Sequence, residues 1–496
     1  MPQQSLLKRG IKFTPLLIIL WATVWVVAPR WGAATIKRPR STYDVRWQVV
    51  GGARTTHRFF DSSAISPSGR YVCATRTRRE GPADVTPGDV AEVVVYDLQK
   101  KRKDRFPVVY RRPTAAWDAQ LGAQVQWGAS DDELYFNDVV RTRSDGAPIV
   151  RGVRSDWQRG RETRLPTPVY HVTRDGALAA APRDLAALRM TQDGYGVVVT
   201  PVWKSNSDLG YAIEQTQEWR QPRVDGVGRP KFDSTQVTPE QLRHLESQKD
   251  GVHVLDLRTN ATAFLELSAL VAAAELDSRP RAVAGGDARK GAECHRHVFH
   301  VKWNAKGTRL LVVVRARGQG CPRGDANHAL TVDPDGADVK VVATWLRDGN
   351  HPNWLEDGRL SMNYEGKVCA FDDVEGASCQ VLSERASGHP VGVPGRGDLV
   401  VTDTYAKEHA AFGLEAGEAA LRVLSGGDRE AWLGVFPVAA LGTMPTDVWR
   451  CDAHPAFDVK GRRLALNVWV RGSRRVAITD EIDWDALLKR RDLWFS

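Results

Sequence analysis

The amino-acid sequence predicts an all-β fold, a seven-bladed β-propeller with four-stranded antiparallel blades. Three observations lead to this prediction. A tight turn with an alternating exit strand recurs seven times, a second strand pair follows each recurrence, and the last unit lacks a fourth strand of its own. The composition agrees with it, because the 496 residues include 43 Gly and 17 Trp but only 4 Met.

The clearest copy of the recurring phrase is HPNWLEDGRLSMNY, at residues 351–364. An apolar run ends at an Asp-Gly turn, and a segment with a two-residue alternation leaves it, which is typical of a β-hairpin. The seven phrases begin at Ser66, Ala129, Thr173, Asn304, Leu355, Val393 and Asp458. Each phrase therefore predicts the inner strand pair of one blade.

A second pair of strands follows each phrase, for example within residues 93–107 and 251–267. The repeating unit is thus strand, turn, strand, loop, strand, turn, strand. One such unit cannot cover its own faces and must pack on its neighbours. Radial repetition of seven units satisfies this requirement and protects the sheet edges.

Closure of the ring is predicted from the two ends of the repeat. The last unit ends at its third strand, near Asp480, and YDVRWQVV (43–50) precedes the first phrase. We expect this segment to supply the outer strand of the last blade; the alternative is a free strand beside the first blade. The propeller is predicted to span 35–485, with inserts at 203–248 and 268–293 and a tail at 486–496.

The N-terminus, residues 1–34, has the parts of an export signal. A charged start precedes the apolar run LLIILWATVWVVA (16–28), and the small residues Gly32, Ala33 and Ala34 follow. Thirteen apolar residues suit a cleaved signal peptide, and an uncleaved N-terminal anchor is the alternative. Both alternatives place the propeller outside the cytoplasm, as a secreted, periplasmic or membrane-anchored protein.

The charge distribution excludes some function classes. The formal net charge is +9, but residues 1–40 carry seven Lys and Arg and no acidic residue, so the rest is nearly neutral. A nucleic-acid partner is therefore not expected. The mean hydropathy of −0.37 excludes a polytopic membrane protein. No GxSxG or P-loop motif occurs, and no CxxC pair indicates a zinc site.

Six cysteines fit an oxidising compartment. Cys369 and Cys379 flank FDDVEGAS and could be bridged across a hairpin, and Cys294 and Cys321 flank another strand pair. Cys73 and Cys451 are the two remaining cysteines. Sequence cannot choose among the fifteen pairings that six cysteines allow, and buried free thiols are the alternative.

Histidines recur at one position of the phrase, seven residues before the turn glycine. The three regular cases are His300, His351 and His454. His389 holds the same place in a blade with an irregular turn, and Gln124 lies seven residues before Asp131. This position begins the innermost strand, so these five side chains are predicted to converge at one channel mouth and hold a divalent cation. Alternatively, they cap strands, bond a neighbouring blade or shuttle protons without a metal.

Other residues are candidates for supporting roles. Asp452 and Asn350 neighbour two of these histidines and could fix the tautomer of an imidazole. His297, three residues before His300, is a candidate general base. The tryptophans of the phrase are expected in the core, whereas three others could stack on sugars or pack in loops. The tryptophans of the phrase are Trp127, Trp303 and Trp354, and the other three are Trp203, Trp219 and Trp449.

The phrases resemble the TolB-type propeller repeat, in which a proline and an aromatic residue precede Ser-Pro-Asp-Gly. HPNWLEDGRL and HPAFDVKGRRLAL carry this resemblance, which covers residues 44–482. HVFHVKWNAKGTRLL, HPNW, GHPVG and CDAHPAF are in addition similar to bacterial propellers related to oligogalacturonate lyases. That resemblance implies seven blades, a His-rich channel site for a divalent metal, with manganese implied, and β-elimination on a uronate. The blade at 388–440 departs from it with a looser phrase.

Arg189, in ALRMTQDGYGV, looks like an arginine-plus-GYG segment of the same propellers. A guanidinium suits a substrate carboxylate, and a structural ion pair is the alternative. Two alternative functions are compatible with these observations. The first is a polysaccharide lyase acting on acidic oligosaccharides, with His297 and Arg189 as catalytic residues. The second is a non-catalytic propeller that binds a protein or glycan of the cell envelope. A monomer is expected in both cases.

Overall fold

Each recurring phrase of the sequence folds as the inner hairpin of a four-stranded antiparallel sheet. The structure is a computed structural model, and it describes residues 38–39, 41–80, 90–102, 105–117, 120–142, 148–182, 250–276, 295–317, 326–346, 349–426, 429–440 and 450–495. These residues form seven such sheets. The predicted seven-bladed β-propeller is therefore confirmed.

The strands are numbered along the chain, and those of each blade run from the channel outwards. Blades 1 and 2 consist of β2 (Thr55–Thr56), β3 (Tyr71–Arg76), β4 (Ala91–Asp97) and β5 (Val108–Thr114), then β6 (Gln126–Trp127), β7 (Glu133–Thr142), β8 (Pro148–Asp156) and β9 (Arg161–Arg164). Blades 3 and 4 consist of β10 (His171–Val172), β11 (Leu178–Pro182), β12 (Gly251–Asp256) and β13 (Thr262–Glu266), then β14 (His295–Trp303), β15 (Leu310–Arg317), β16 (Ala326–Val332) and β17 (Lys340–Trp345).

The remaining blades follow the same order. Blades 5 and 6 consist of β18 (Asn350–Trp354), β19 (Leu360–Tyr364), β20 (Lys367–Phe371) and β21 (Gln380–Ser383), then β22 (Val391–Val393), β23 (Arg396–Asp403), β24 (Glu418–Ser425) and β25 (Arg429–Pro437). Blade 7 consists of β26 (Ala456–Phe457), β27 (Leu464–Trp469), β28 (Arg474–Thr479) and β1 (Trp47–Val49). The helices are α1 (Leu267–Ala273) and α2 (Trp484–Lys489), with 3₁₀ turns at Ala406–Phe412 and Arg491–Leu493.

The ring closes through β1, as the sequence predicts. Trp47 pairs with Thr479 of β28, and the Trp47 ring packs on Phe436 of blade 6, with centroids 5.7 Å apart. The strand thus gives blade 7 its fourth member and covers the edge that β28 would otherwise expose.

Consecutive blades are tied together by a side chain of the second strand. Asn137 of blade 2 exchanges two hydrogen bonds with the backbone of Val169, at 2.7 and 2.9 Å, just before the inner strand of blade 3. The equivalent bonds join Thr75 to Ala123 (2.9 Å), Asn363 to Gly388 (2.8 Å) and Asn467 to His57 (3.0 Å). We call these four side chain-to-backbone contacts the blade ties. Each fixes where the next inner strand begins.

The tryptophans of the phrase are buried, as predicted, with 8%, 3% and 8% of Trp127, Trp303 and Trp354 exposed. Two of them also bond the preceding blade, because the indole N–H of Trp127 donates to Ala64 O at 2.8 Å and that of Trp354 to Lys302 O at 3.0 Å.

The disulfide Cys369–Cys379 closes the outer hairpin of blade 5, as anticipated, whereas Cys73 and Cys451 are buried free thiols. Cys294 and Cys321 lie outside the described residues, as do residues 1–34, the insert 203–248, Trp203, Trp219 and Trp449. Of the insert 268–293, the described part contributes to α1. Within the described ranges, no helix has the length and apolar character needed to span a membrane.

The blade tie at the ring closure generates a stability prediction. Asn467→Ala removes the acceptor of the buried His57 N–H, so we expect the free energy of unfolding to fall by about 1–3 kcal/mol. Urea unfolding followed by circular dichroism measures it. Thr163→Ala, on the exposed outer strand of blade 2, should change it by less than about 0.5 kcal/mol. Equal effects of both substitutions would contradict the proposed role of the tie.

Candidate metal centre in the channel

The predicted ligand position is conformationally unusual in three blades. Gln124, His351 and His454 all have left-handed backbones, with φ of 59°, 57° and 47°. The pairing of β18 with β19 is interrupted at His351 by a bulge, between Asn350 and Asn353. Non-glycine residues adopt this conformation rarely, and such outliers cluster at functional sites. The repeat thus carries a specific backbone distortion at the start of its inner strands.

Three of the predicted histidines meet in the channel. The ring centroids of His351 and His389 are 4.2 Å apart, and those of His389 and His454 are 4.3 Å apart. All three side chains are at least 94% buried. His300 lies on the other side of Phe59, whose ring stacks on it at 5.4 Å and contacts His454 edge-on at 4.7 Å.

The best cation site combines two of these histidines with a carboxylate. One ligand atom each from His389, Asp452 and His454 can be chosen so that all lie within 4.8 Å of one another. The sequence suggested Asp452 as a supporting residue, but the structure places its carboxylate within the candidate ligand set. Arg450 Nε donates to Asp452 Oδ2 at 2.6 Å and holds that carboxylate in place.

The hydrogen bonds around His389 fit a metal ligand. Its Nδ1 donates to the Asp403 carboxylate at 2.9 Å, and Asp403 also accepts the His389 backbone N–H at 2.8 Å. This arrangement fixes the tautomer and leaves the lone pair on Nε2. Among the described residues, His389 Nε2 and His454 Nδ1 are buried and have no hydrogen-bond partner. Buried polar atoms are normally paired, so these two nitrogens indicate a missing ligand.

His351 is held differently. Its Nδ1 lies 2.8 Å from the Tyr405 hydroxyl and 3.1 Å from Gly388 O, a carbonyl of the next blade. Burial, then the neighbouring His389, lowers the pKa of His351 well below its ordinary value. A bond to a neighbouring blade was the structural alternative for these histidines. His351 makes that bond and still contacts His389.

Blade 1 fills the channel with a segment that the sequence reasoning missed. Residues 57–61 (HRFFD), which we call the channel segment, lie between the inner strand β2 and the first recurring phrase. Phe59 and Phe60 are 4% and 1% exposed, and Phe60 packs on His389 with centroids 5.2 Å apart. The available signal was two adjacent aromatic residues between charged residues, just before one of the three phrases that lack a histidine at the usual position.

The channel segment also carries a buried ion network. Arg58 pairs with Asp61, and Lys302 Nζ lies 3.6 Å from Asp61 Oδ2. Burial favours a raised pKa for Asp61, but Arg58 and Lys302 outweigh it and hold the pKa well below its usual range. Burial lowers the pKa of Lys302 to about 8 although Asp61 opposes this shift. The predicted ligand Gln124 belongs to this network, since its Oε1 accepts from Arg58 Nε at 2.6 Å.

The other predicted site residues are not members of the His389–Asp452–His454 set. His300 Nδ1 is hydrogen-bonded to the Tyr170 hydroxyl, and burial lowers its pKa well below the ordinary value. His297 is buried within β14, paired in register with Arg315. Asn350 Oδ1 accepts the His351 N–H at 2.9 Å. Arg189 lies outside the described residues.

Comparisons with known proteins find likeness in the fold. No family model matches the sequence, and no curated protein does. Among solved structures, an oligogalacturonate lyase in complex with manganese is 12% identical, with a TM-score of 0.45, over 90% of this chain and 99% of that one. An oligogalacturonate lyase from Vibrio parahaemolyticus is 9% identical, with a TM-score of 0.43, over 90% and 98%.

TolB from Acinetobacter baumannii is 10% identical, with a TM-score of 0.33, over 84% of this chain and 65% of that one. Both groups that the sequence phrases resemble are thus found by structure as well. At these identities the likeness concerns the propeller fold, and the chemistry of the site rests on the residues of this chain.

The buried histidines generate a pH prediction. Burial lowers the pKa of His57 and His171 to about 4, from 6.5. The unfolded chain therefore binds more protons than the native state below about pH 6.5. As a result, the free energy of unfolding decreases as the pH is lowered from about 6.5 to about 4. Each of the two histidines should contribute about 1.4 kcal/mol per pH unit to this decrease in the free energy of unfolding. Urea unfolding with a chelator present, between pH 7 and 5, tests this; a flat profile would contradict it, and His57→Gln should make the slope shallower.

The hydrogen bond between Asp403 and His389 generates a metal-binding prediction. Asp403→Ala removes the group that orients the imidazole, so we expect Mn²⁺ affinity to fall by about 10- to 100-fold. Isothermal titration calorimetry with Mn²⁺ measures this change. Asp335→Ala, in the exposed turn between β16 and β17, is the matched control and should bind as the parent does. If both variants bind Mn²⁺ equally, Asp403 does not support a metal ligand.

Proposed function

We propose that this protein is an exported β-propeller that holds one divalent cation at His389, Asp452 and His454 and acts on acidic oligosaccharides by β-elimination. The observation that carries the proposal is the ligand set, whose three donor atoms converge within 4.8 Å while His389 Nε2 lacks a partner among the described residues. Two imidazoles and a carboxylate suit Mn²⁺, Fe²⁺ or Zn²⁺. The sequence resemblance favours Mn²⁺.

His389, Asp452 and His454 would hold the cation, which would supply positive charge next to the substrate carboxylate while the adjacent carbon loses its proton. The proton goes to a base, the C–O bond to the neighbouring sugar breaks with its electron pair, and a C=C bond forms. The leaving oxygen then takes up a proton. His297 is proposed as the base and Arg189 as a carboxylate-binding residue.

The residues around the ligand set would prepare it for this role. Asp403 fixes the His389 tautomer, and Arg450 holds Asp452. His351, whose imidazole is held by Tyr405, adds a further nitrogen next to His389. His300 and Gln124 are predicted as ligands from their register. In this proposal they have supporting roles instead, because His300 stacks on Phe59 and Gln124 accepts a hydrogen bond from Arg58.

Export is proposed on two grounds. The N-terminal residues have the composition of a signal or anchor. The disulfide Cys369–Cys379 suits an oxidising compartment. We therefore propose a secreted or periplasmic monomer, with an uncleaved N-terminal anchor as the alternative.

A non-catalytic propeller is the second candidate, and one observation favours it. Phe59 and Phe60 fill the channel beside the histidines, which are themselves buried. A protein of this kind would bind an envelope protein or glycan on its surface, and the histidines would hold a structural cation or none.

Metal analysis and an activity assay distinguish these candidates. The purified protein should contain about one divalent ion per chain, and His389→Ala and His454→Ala should abolish this content because each removes one of three ligands. His409→Ala, a histidine in the 3₁₀ turn Ala406–Phe412, is the control and should retain the ion.

The loaded protein should then release unsaturated products from oligogalacturonate, followed by ultraviolet absorbance, and His389→Ala should lose this activity. Metal binding without any product from a panel of acidic oligosaccharides would reject the lyase and leave the non-catalytic propeller. Absence of bound metal in the parent protein would reject the cation site itself.

A further inference from the structure

A cavity lies at the far end of the channel, beyond the candidate metal centre. Its volume is about 120 Å³, and all seven blades contribute to its walls through the ends of their inner strands and the turns that follow. Lining residues such as Trp303 and Asn353 come two or three positions after His300 and His351, which corresponds to several Å along an inner strand. Phe60 lines the cavity and also contacts His351 and His389. It therefore separates the two sites.

Three residues in the cavity wall have a polar atom that makes no hydrogen bond with the described residues. Asn353 is 5% exposed, and its carboxamide makes no hydrogen bond with any described residue. The Trp303 side chain is 3% exposed, and its indole N–H is buried without an acceptor in the described part of the chain. Asp61 Oδ2 also makes no hydrogen bond there, but it is ion-paired with Lys302 Nζ at 3.6 Å. Buried polar groups are rarely left unpaired, so the Asn353 carboxamide and the Trp303 indole indicate a ligand with hydrogen-bonding groups.

The indole of Trp303 differs from its counterparts in neighbouring blades. The indole N–H groups of Trp127 and Trp354 donate to carbonyls of the preceding blade. The backbone N–H of Trp303 donates instead to His171 Nδ1, at 3.1 Å, while His171 Nε2 lies 3.0 Å from Asp61 O. His171 therefore takes the contact between blades, and the indole N–H is left for a ligand.

The charges around the cavity are balanced within the protein. Arg174 of blade 3 pairs with Glu356 of blade 5 at the rim, with one N–O distance of 3.0 Å. Asp61 is paired with Arg58 and Lys302, and Asp458 lies 3.7 Å from Arg463. A charged ligand would have to compete with these pairs and lose its own hydration, so the site favours an uncharged molecule.

The size and the walls narrow the chemistry further. About 10–15 Å³ of cavity volume accommodates one water molecule, so this cavity has room for roughly ten non-hydrogen atoms. Phe60, Trp303 and Trp354 give it aromatic walls. A hexose ring combines apolar C–H faces with hydroxyls that both donate and accept, and it matches this size. We infer that the cavity binds a neutral, hexose-sized sugar, with Asn353, Trp303 and Asp61 as its polar contacts.

Calorimetric titration of the full-length protein with neutral hexoses tests the inference. Calorimetry is preferred to fluorescence because the chain has 17 tryptophans. We expect glucose, galactose or mannose to bind, and galacturonate and glucosamine to bind at least about 10-fold more weakly because they are charged. Asn353→Leu and Trp303→Phe should each weaken binding by about 10-fold, the effect of one lost hydrogen bond.

Two controls separate this site from other effects. Trp345→Phe alters a tryptophan that is 5% exposed and does not line the cavity, so hexose affinity should be unchanged. His389→Ala should also leave hexose affinity unchanged even if it removes the metal, so failure of the metal site and failure of the sugar site are distinguishable. The inference is overturned if no neutral hexose binds at millimolar concentration, if charged sugars bind as tightly, or if folded Trp303→Phe protein binds as the parent does.

Discussion

The placement of chemical groups in the channel depends on where each inner strand begins, and at four blade junctions a side chain of the preceding blade fixes that point. Asn137, Asn363 and Asn467 each reach across to the backbone at the start of the next inner strand. These amides are buried, so breaking one leaves donors and acceptors unpaired at a cost of about 1–3 kcal/mol. A shift of one residue would also point an inner-strand side chain away from the channel. The blade ties therefore position His389 and Gln124, which directly follow the tied residues Gly388 and Ala123, and they stabilise the ring.

The electrostatics of the channel explain why His351 and His454 can remain unprotonated. Burial lowers the pKa of His351 and His454 well below their ordinary values, and nearby cationic groups act in the same direction. Lys302 contacts the ring of Phe60 at 4.2 Å and is hydrogen-bonded to Pro352 O, next to His351. Neutral imidazoles are the form that coordinates a metal. Asp452 and Asp403 supply the negative charge that a divalent cation needs at the same place.

Much of the fold could be predicted because the sequence repeats one local strand-turn-strand pattern. The turn signals and two-residue alternation identify each inner hairpin, and the missing strand of the last unit identifies 43–50 as its complement. The disulfide Cys369–Cys379 was also within reach, since both residues flank one hairpin. These features depend on short stretches of chain and on rules of strand geometry that hold in any blade.

The candidate site was less predictable because its members come from different blades and depart from the repeat. Shared register singled out His351, His389 and His454, and the structure brings the rings of these three residues together. It could not reveal that Phe59 separates His300 from them, because the channel segment occurs in blade 1 alone and its path follows no repeat. Nor could it show that Asp452, two residues before His454, lies close enough to share a ligand set. That proximity depends on the left-handed backbone of His454, which departs from ordinary strand geometry.

The channel segment determines from which side a ligand can approach each site. Phe60 contacts the histidines on one side and lines the sugar-sized cavity on the other. Because protein interiors are packed as densely as organic crystals, two buried aromatic rings at this point leave no passage for a sugar ring. A substrate of the metal centre must therefore come from the face where the inner strands begin. A ligand of the cavity must come from the face where they end. The ring thus presents two chemically different mouths, one beside the buried histidines and one with aromatic and hydrogen-bonding walls, and the channel segment lies between them.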